Sequence, residues 1–189
     1  MMHGLLRLSN HIAAFVTWVG RITAWLAVAM MLVIIADVVL RRYFVIGSTK
    51  LQELEWHLHG VLFLLCLGYA YVKGAHVRID LVRERFSPRT KVWIELIGII
   101  IFLIPYTLVI LSFGFDYTAM SYANNEISAS LTGLSHRWVI KGMLLAGFIL
   151  LGLAGIEKLL RSIVFLFGPK ELRKQARPEG EESAGMEIG

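Results

Sequence analysis

Long apolar runs alternate with short polar breaks along the chain, and four of the runs are candidates to cross a bilayer. A helix rises about 1.5 Å per residue, so about 20 mostly apolar residues cover roughly 30 Å of hydrocarbon. The first run goes from Ile22 to Leu40, interrupted by Asp37. The second, Trp56 to Val72, lies between Glu55 and Lys73, and the third, Leu96 to Phe115, between Glu95 and Asp116. The fourth, Trp138 to Ile156, carries Lys141 near its start. A lysine there lays its stem along the helix and raises its amine to the interface. Ahead of the first run, Leu5, Leu8, Ile12, Phe15, Val16 and Val19 recur every three or four residues among Arg7, Ser9, Asn10 and His11. That period predicts a helix with one apolar stripe, lying in the membrane surface; an early extension of the first span is the alternative.

The expected fold class is therefore an all-α integral membrane protein. Four transmembrane helices, at 22–40, 56–72, 96–115 and 138–156, follow an N-terminal amphipathic interfacial helix in one domain over residues 1–168. None of the runs has the small-residue cleavage pattern of a secretory signal. No internal repeat is visible, which argues against an inverted-repeat transporter complete in this chain. Beyond Gly168, Pro169, Pro178, Gly180, Gly185 and a cluster of glutamates predict a mobile tail over 169–189.

Composition supports the membrane reading. The 189 residues are 57% hydrophobic and 17% charged, against roughly 45–50% and about 25% in soluble domains. One cysteine, Cys66, lies inside an apolar run, so an intramolecular disulfide is ruled out and the residue reads as a small core hydrophobe.

Charge supplies the orientation. With four spans, both termini and the loop between the second and third spans share one side, which holds 14 of the 19 lysines and arginines. Positive loops stay inside, so both termini are expected in the cytoplasm. The net charge of +5 then reflects orientation. The basic residues flank membrane spans and are not gathered on one folded face, so nucleic acid is not an expected partner; membrane lipids are.

Charge inside a membrane helix is costly and draws a functional hypothesis. Asp37 precedes Arg41 by four positions, so the two share a helix face and neutralise one another. This predicts a local ion pair, with pairing to another subunit or a part in ion conduction as alternatives. Glu53/His57 and Glu55/His59 are also four apart, but the two pairs are offset by two residues and point about 200° apart on a helix. An interfacial network is the favoured reading over a metal site. A haem held by His57 or His59 together with His136, as in a respiratory membrane anchor, is the alternative from another functional class. Pro105 removes a backbone donor and predicts a kink in the third span. Trp18, Trp25, Trp56, Trp93 and Trp138 mostly fall near span ends, where amphipathic rings favour the headgroup level. Gly98, Gly142, Gly147, Gly152 and Gly155 are candidates for close helix approach. With no phosphate loop, nucleophile elbow or buried carboxylate pair, an enzyme is not expected, nor is a resident cofactor.

One stretch, "DVVLRRYFVIGSTKLQELEWHLHGVLFLLCLGYAYVKGAHVRIDLVRERFSPRTKVWIEL", resembles the small membrane subunit of tripartite ATP-independent periplasmic (TRAP) transporters. The family pattern has an Arg-Tyr-like end to the first span and a Glu-Leu pair opening the second, matched by Glu53-Leu54. A Leu-Gly-x-Ala-like core matches Leu67, Gly68 and Ala70, and a His-x-x-x-Asp motif matches His76 and Asp80. The later "NEISASLTGLSHRWVIKGMLLAGFILLGLAGIEKL" resembles the mannitol/chloroaromatic branch, with Ser135 where proline is expected before His136. The similarity runs from about Ile22 to Leu160.

The resemblance implies a supporting role. In such systems a soluble periplasmic protein captures an organic acid, and a large membrane subunit carries it inward on a sodium gradient. The small subunit braces the large one in the inner membrane and helps receive the binding protein. It implies that Arg41, Arg42, Glu53 and Glu55 organise the outer ends of the first two spans, with Asp37 beside them, and that His76, Arg78 and Asp80 cap the second span on the cytoplasmic side.

Overall fold

The computed structural model describes residues 2–75, 86–130 and 132–176, and every regular element among them is helical. In chain order they are α1 (Met2–Ala24), α2 (Leu26–Tyr43), α3 (Thr49–Val72), α4 (Pro88–Gly98), a π turn (Ile99–Leu103), α5 (Ile104–Ala123), α6 (Trp138–Phe167) and α7 (Lys170–Gln175). Among the described residues, three stretches are long and apolar enough to cross a membrane: Met2–Tyr43, Pro88–Ala123 and Trp138–Phe167. They contain three of the four expected spans. The fourth, 56–72, lies within α3, whose first half carries Lys50, Glu53, Glu55, His57 and His59 and is diluted in apolar character by them.

Local signals set the helix ends. Ser48 caps α3 by accepting from the Leu51 amide, and Ser87 caps α4 by accepting from the Thr90 amide, with Pro88 in the first turn. At Trp25 the chain makes a tight turn, with its amide donating to the Ile22 carbonyl, and this separates α1 from α2. Pro105 has no amide to give to Ile101, and the chain accommodates the loss with the π turn, in which the Ile104 amide reaches back five residues to the Ile99 carbonyl. The disturbance expected at Pro105 is therefore a local widening immediately before it.

The packing centre is α3 against α6, with α1, α2 and α5 around that pair. The two helices touch where each presents a glycine. A Cβ on Gly68 would come within 2.6 Å of the Leu150 carbonyl oxygen, and one on Gly147 within 2.6 Å of the Leu64 carbonyl oxygen. Of the glycines expected to allow close approach, Gly98 does not: a Cβ there would meet nothing within 4 Å.

The N-terminal stripe packs lengthwise on the bundle. Leu6 meets Val164, Leu172 and Ala176, whereas Val16 meets Val72, Leu150 and Ala154. Ile12 and Val19 join the second cluster and Leu5 the first, while Leu8 and Phe15 stay exposed. As α1 ascends, its contacts move back along α6, so the two run antiparallel. The boundary expected after Gly168 falls inside packed structure, because Leu172 and Ala176, four residues apart on one face, close over Leu6 and Val164. The rest of the expected tail, 177–189, lies outside the described residues.

Candidate functional site

Polar side chains concentrate at the two ends of the bundle. At one end, Glu53 stands in the second turn of α3 and its carboxylate is covered by the connection between α5 and α6. One oxygen accepts from the Ser128 hydroxyl, and the other accepts from the Leu134 amide at 2.6 Å. The connection is knotted around that carboxylate: the Ser128 amide donates to the Leu134 carbonyl at 3.1 Å, and the Ser130 amide to the Ser128 hydroxyl at 3.1 Å. Thr132 adds a hydroxyl contact to Thr49 at 3.1 Å. Gly133 lies so close that a Cβ would sit 2.6 Å from the carboxylate.

Beside it, Glu126 pairs with Lys141 and lies 3.9 Å from Arg137. The Lys141 amine also sits 3.7 Å from the centre of the Tyr117 ring, and Tyr122 meets Trp138 edge to face. The end of α5, the connection, and the starts of α3 and α6 are thus tied by two carboxylates.

Both carboxylates titrate low. The Ser128 hydroxyl and then the Leu134 amide hold Glu53 below its ordinary range, and hydrogen bonding from Lys141 leads the same effect at Glu126. A depressed carboxyl contributes stability above its unfolded pKa, near about 4.3, and loses it as pH falls through the lower folded value. Protection of the Leu134 amide from hydrogen exchange is therefore expected to be level from neutral pH to about 5 and to fall only below about pH 4, after correction for intrinsic exchange. Loss of protection between pH 7 and 5 would contradict this.

The expected Glu–His network takes a different form. The His57 ring donates to the backbone carbonyl of Glu53 at 2.6 Å, leaving the Glu53 carboxylate for the connection. Among the described residues no bond joins Glu55 to His59. The physical reason is competition: a backbone amide and a hydroxyl from a folded-over segment offer Glu53 better geometry than an imidazole on its own helix face. The Asp37–Arg41 pair forms. Asp37 is 2% exposed, and its second oxygen has no hydrogen-bond partner among the described residues. Arg42 is exposed beside it. His76, Arg78 and Asp80 lie outside the described residues.

At the opposite end, Glu157 and Arg161 of α6 hold α1. One Glu157 oxygen accepts from Ser9 at 3.1 Å and from Arg161 Nε at 2.7 Å, and Arg161 also donates to the Asn10 side chain at 3.1 Å. This group was missed at the level of sequence, although Glu157 and Arg161 stand four apart exactly as do Asp37 and Arg41 in their helix.

Among the described residues the histidines do not gather into a ligand set. His57 is committed to the Glu53 carbonyl, the His136 ring bonds Ser135 at 2.7 Å, and the described residues contain no group of three His, Cys, Asp or Glu placed to hold a metal. Ser135, where proline was expected, thus uses its hydroxyl on the neighbouring ring.

The family model described as "Tripartite ATP-independent periplasmic transporters, DctQ component" matches residues 30–165. The chain belongs to that family. It is the small component of a TRAP transporter, a multi-pass membrane protein that works with other TRAP components, and its family is one of transporter parts, not enzymes. The match takes in α3, α5, the connection clamped by Glu53 and nearly all of α6, while α1 precedes it. No curated protein and no solved structure matches the chain. A haem-anchor role has no support from the family.

Proposed function

We propose that this DctQ component is the stationary brace of a sodium-coupled importer of organic acids, of the mannitol/chloroaromatic-like branch, in the bacterial inner membrane. It spans the membrane four times, with α3 as the second span, and both termini are cytoplasmic. The charge distribution supports that orientation, since most lysines and arginines then lie inside.

One observation carries the brace role. Between the two polar ends, the central pair of helices is shut backbone to backbone at Gly68 and Gly147, leaving no space there for a solute. Outward, α2, the π turn and α5 present large apolar side chains such as Met31, Leu32, Ile35, Phe102, Leu108 and Phe113. Such a surface suits lipid and a larger membrane neighbour. In this reading the Glu53 end faces the periplasm, where Arg41, Arg42 and Glu55 flank the clamped connection and help receive the substrate-binding protein. Asp37 anchors Arg41, whose exposed guanidinium faces the large subunit, and His76, Arg78 and Asp80 serve the cytoplasmic end of α3.

The test is reconstitution into liposomes. The chain alone is expected to give no sodium-driven uptake, whereas the chain with its large subunit and binding protein gives uptake.

A further inference from the structure

At the Glu157 end, a cavity of about 270 Å³ opens between α1, α3 and α6. Its wall carries Arg21, Lys158 and Arg161, together with Lys73, which has a partner of its own, and the carboxylate of Glu157. One oxygen of that carboxylate is met by Ser9 and by Arg161, whose guanidinium is further engaged by Asn10, while the other is buried with no hydrogen-bond partner among the described residues. Lys158 is 6% exposed, and among the described residues its amine has no hydrogen bond or ion pair. Arg21 and Lys158 stand on the wall of one open cavity, and a cleft lined by charges of one sign concentrates ions of the other, so these two cations favour an anion between them. Trp18, Ala13 and Ala14 complete the rim.

We infer that this cavity binds a phosphate group, with Arg21 and Lys158 as the principal contacts. Its placement favours a phospholipid headgroup as the source. The cavity opens where α3 ends at Val72, and an indole and two alanines beside the cations suit the boundary between headgroup and acyl chain. A bound lipid would tie α1 to α3 and α6 at the point where Ser9 and Arg161 already join two of them. The inference rests on this chain's own residues and on the membrane reading, and it does not require sodium coupling or an acid substrate.

The experiment uses the full-length chain in a neutral detergent, with native mass spectrometry and thermal unfolding as readouts. Short-chain phosphatidylglycerol, the matching phosphatidylcholine and inorganic phosphate are titrated in turn. Phosphatidylglycerol is expected to bind and raise Tm, with Arg21→Gln and Lys158→Gln each weakening it about fivefold and Lys158→Arg retaining it. Phosphatidylcholine is expected to bind more weakly and to lose little on either substitution. Inorganic phosphate that binds with the same dependence on Arg21 and Lys158 and displaces the lipid would support the site and make free phosphate its source. Binding of phosphatidylglycerol unchanged in both glutamine variants would overturn the inference. Arg21 is exposed, so Arg21→Gln remains informative if Lys158→Gln fails to fold.

Discussion

Replacing Glu53 with alanine is expected to release residues 128–130 and 132–134 from the end of α3. The carboxylate is the common acceptor for the Ser128 hydroxyl and the Leu134 amide, which approach it from opposite sides of the connection. Without it the amide loses its partner at once, and the Ser128 amide bond to the Leu134 carbonyl loses the frame that holds it. Exchange at the Leu134 amide should rise at least roughly tenfold, as a local opening. The pair of Glu126 and Lys141 should persist, so protection along α6 should not change. Glu53→Gln separates charge from shape. Its amide oxygen can accept one bond but its nitrogen cannot accept the second, so an intermediate effect is expected. Under the brace reading, Glu53→Ala also lowers recovery of the large subunit or the transport rate while substrate preference stays the same. A changed preference would mean that this subunit lines the path. Exchange at Leu134 equal to that of the unsubstituted protein would remove the clamp from the account.

Gly147→Ala should cost more than any surface change, because its Cβ would press on the Leu64 carbonyl, a backbone atom that cannot swing aside. Two effects compete. Alanine in place of glycine in a helix contributes about 0.5–1 kcal/mol in favour of folding. Overpacking a tight contact costs typically about 1–3 kcal/mol, and at a backbone carbonyl the upper part of that range applies. The steric term wins, and the protein should unfold at lower temperature. Gly68→Ala, which meets the Leu150 carbonyl on the other side of the same seam, should behave likewise. The double variant should lose less than the sum, since one separation of the helices relieves both contacts. Gly98→Ala is the control: with nothing within 4 Å of its Cβ, only the helix term remains, and stability should hold or rise slightly. Thermal unfolding followed by circular dichroism in one detergent measures all four. Equal stability of Gly147→Ala and Gly98→Ala would contradict the close crossing.

What the sequence disclosed depended on the range of the interaction. Apolar runs marked the long helices because burial in a membrane depends on local composition. The Asp37–Arg41 pair was legible because both residues ride one helix at one-turn spacing. Pro105 marked its disturbance because the missing donor is a property of the residue itself. Glu53 was singled out, but its partners were not, since Ser128 and Leu134 lie 75 and 81 positions away and reach it only once the connection folds over α3. The same holds for Ser9 and Glu157, 148 apart. Gly98 and Gly147 look alike as residues in apolar helices; which of them faces a neighbour is set by the rotation of the packed helix. The helix α7 was hidden by its charged composition, in which Leu172 carries the contact face together with Ala176 just past the helix end.

The account turns on whether this chain moves solute or holds the subunit that does. Accumulation of radiolabelled organic acid is measured in liposomes containing the full-length chain alone, with an inward sodium gradient, and again after adding the large membrane subunit and the binding protein loaded with its own ligand. The account predicts no accumulation above empty liposomes in the first case and gradient-dependent accumulation in the second. Sodium-driven accumulation by this chain alone would contradict it.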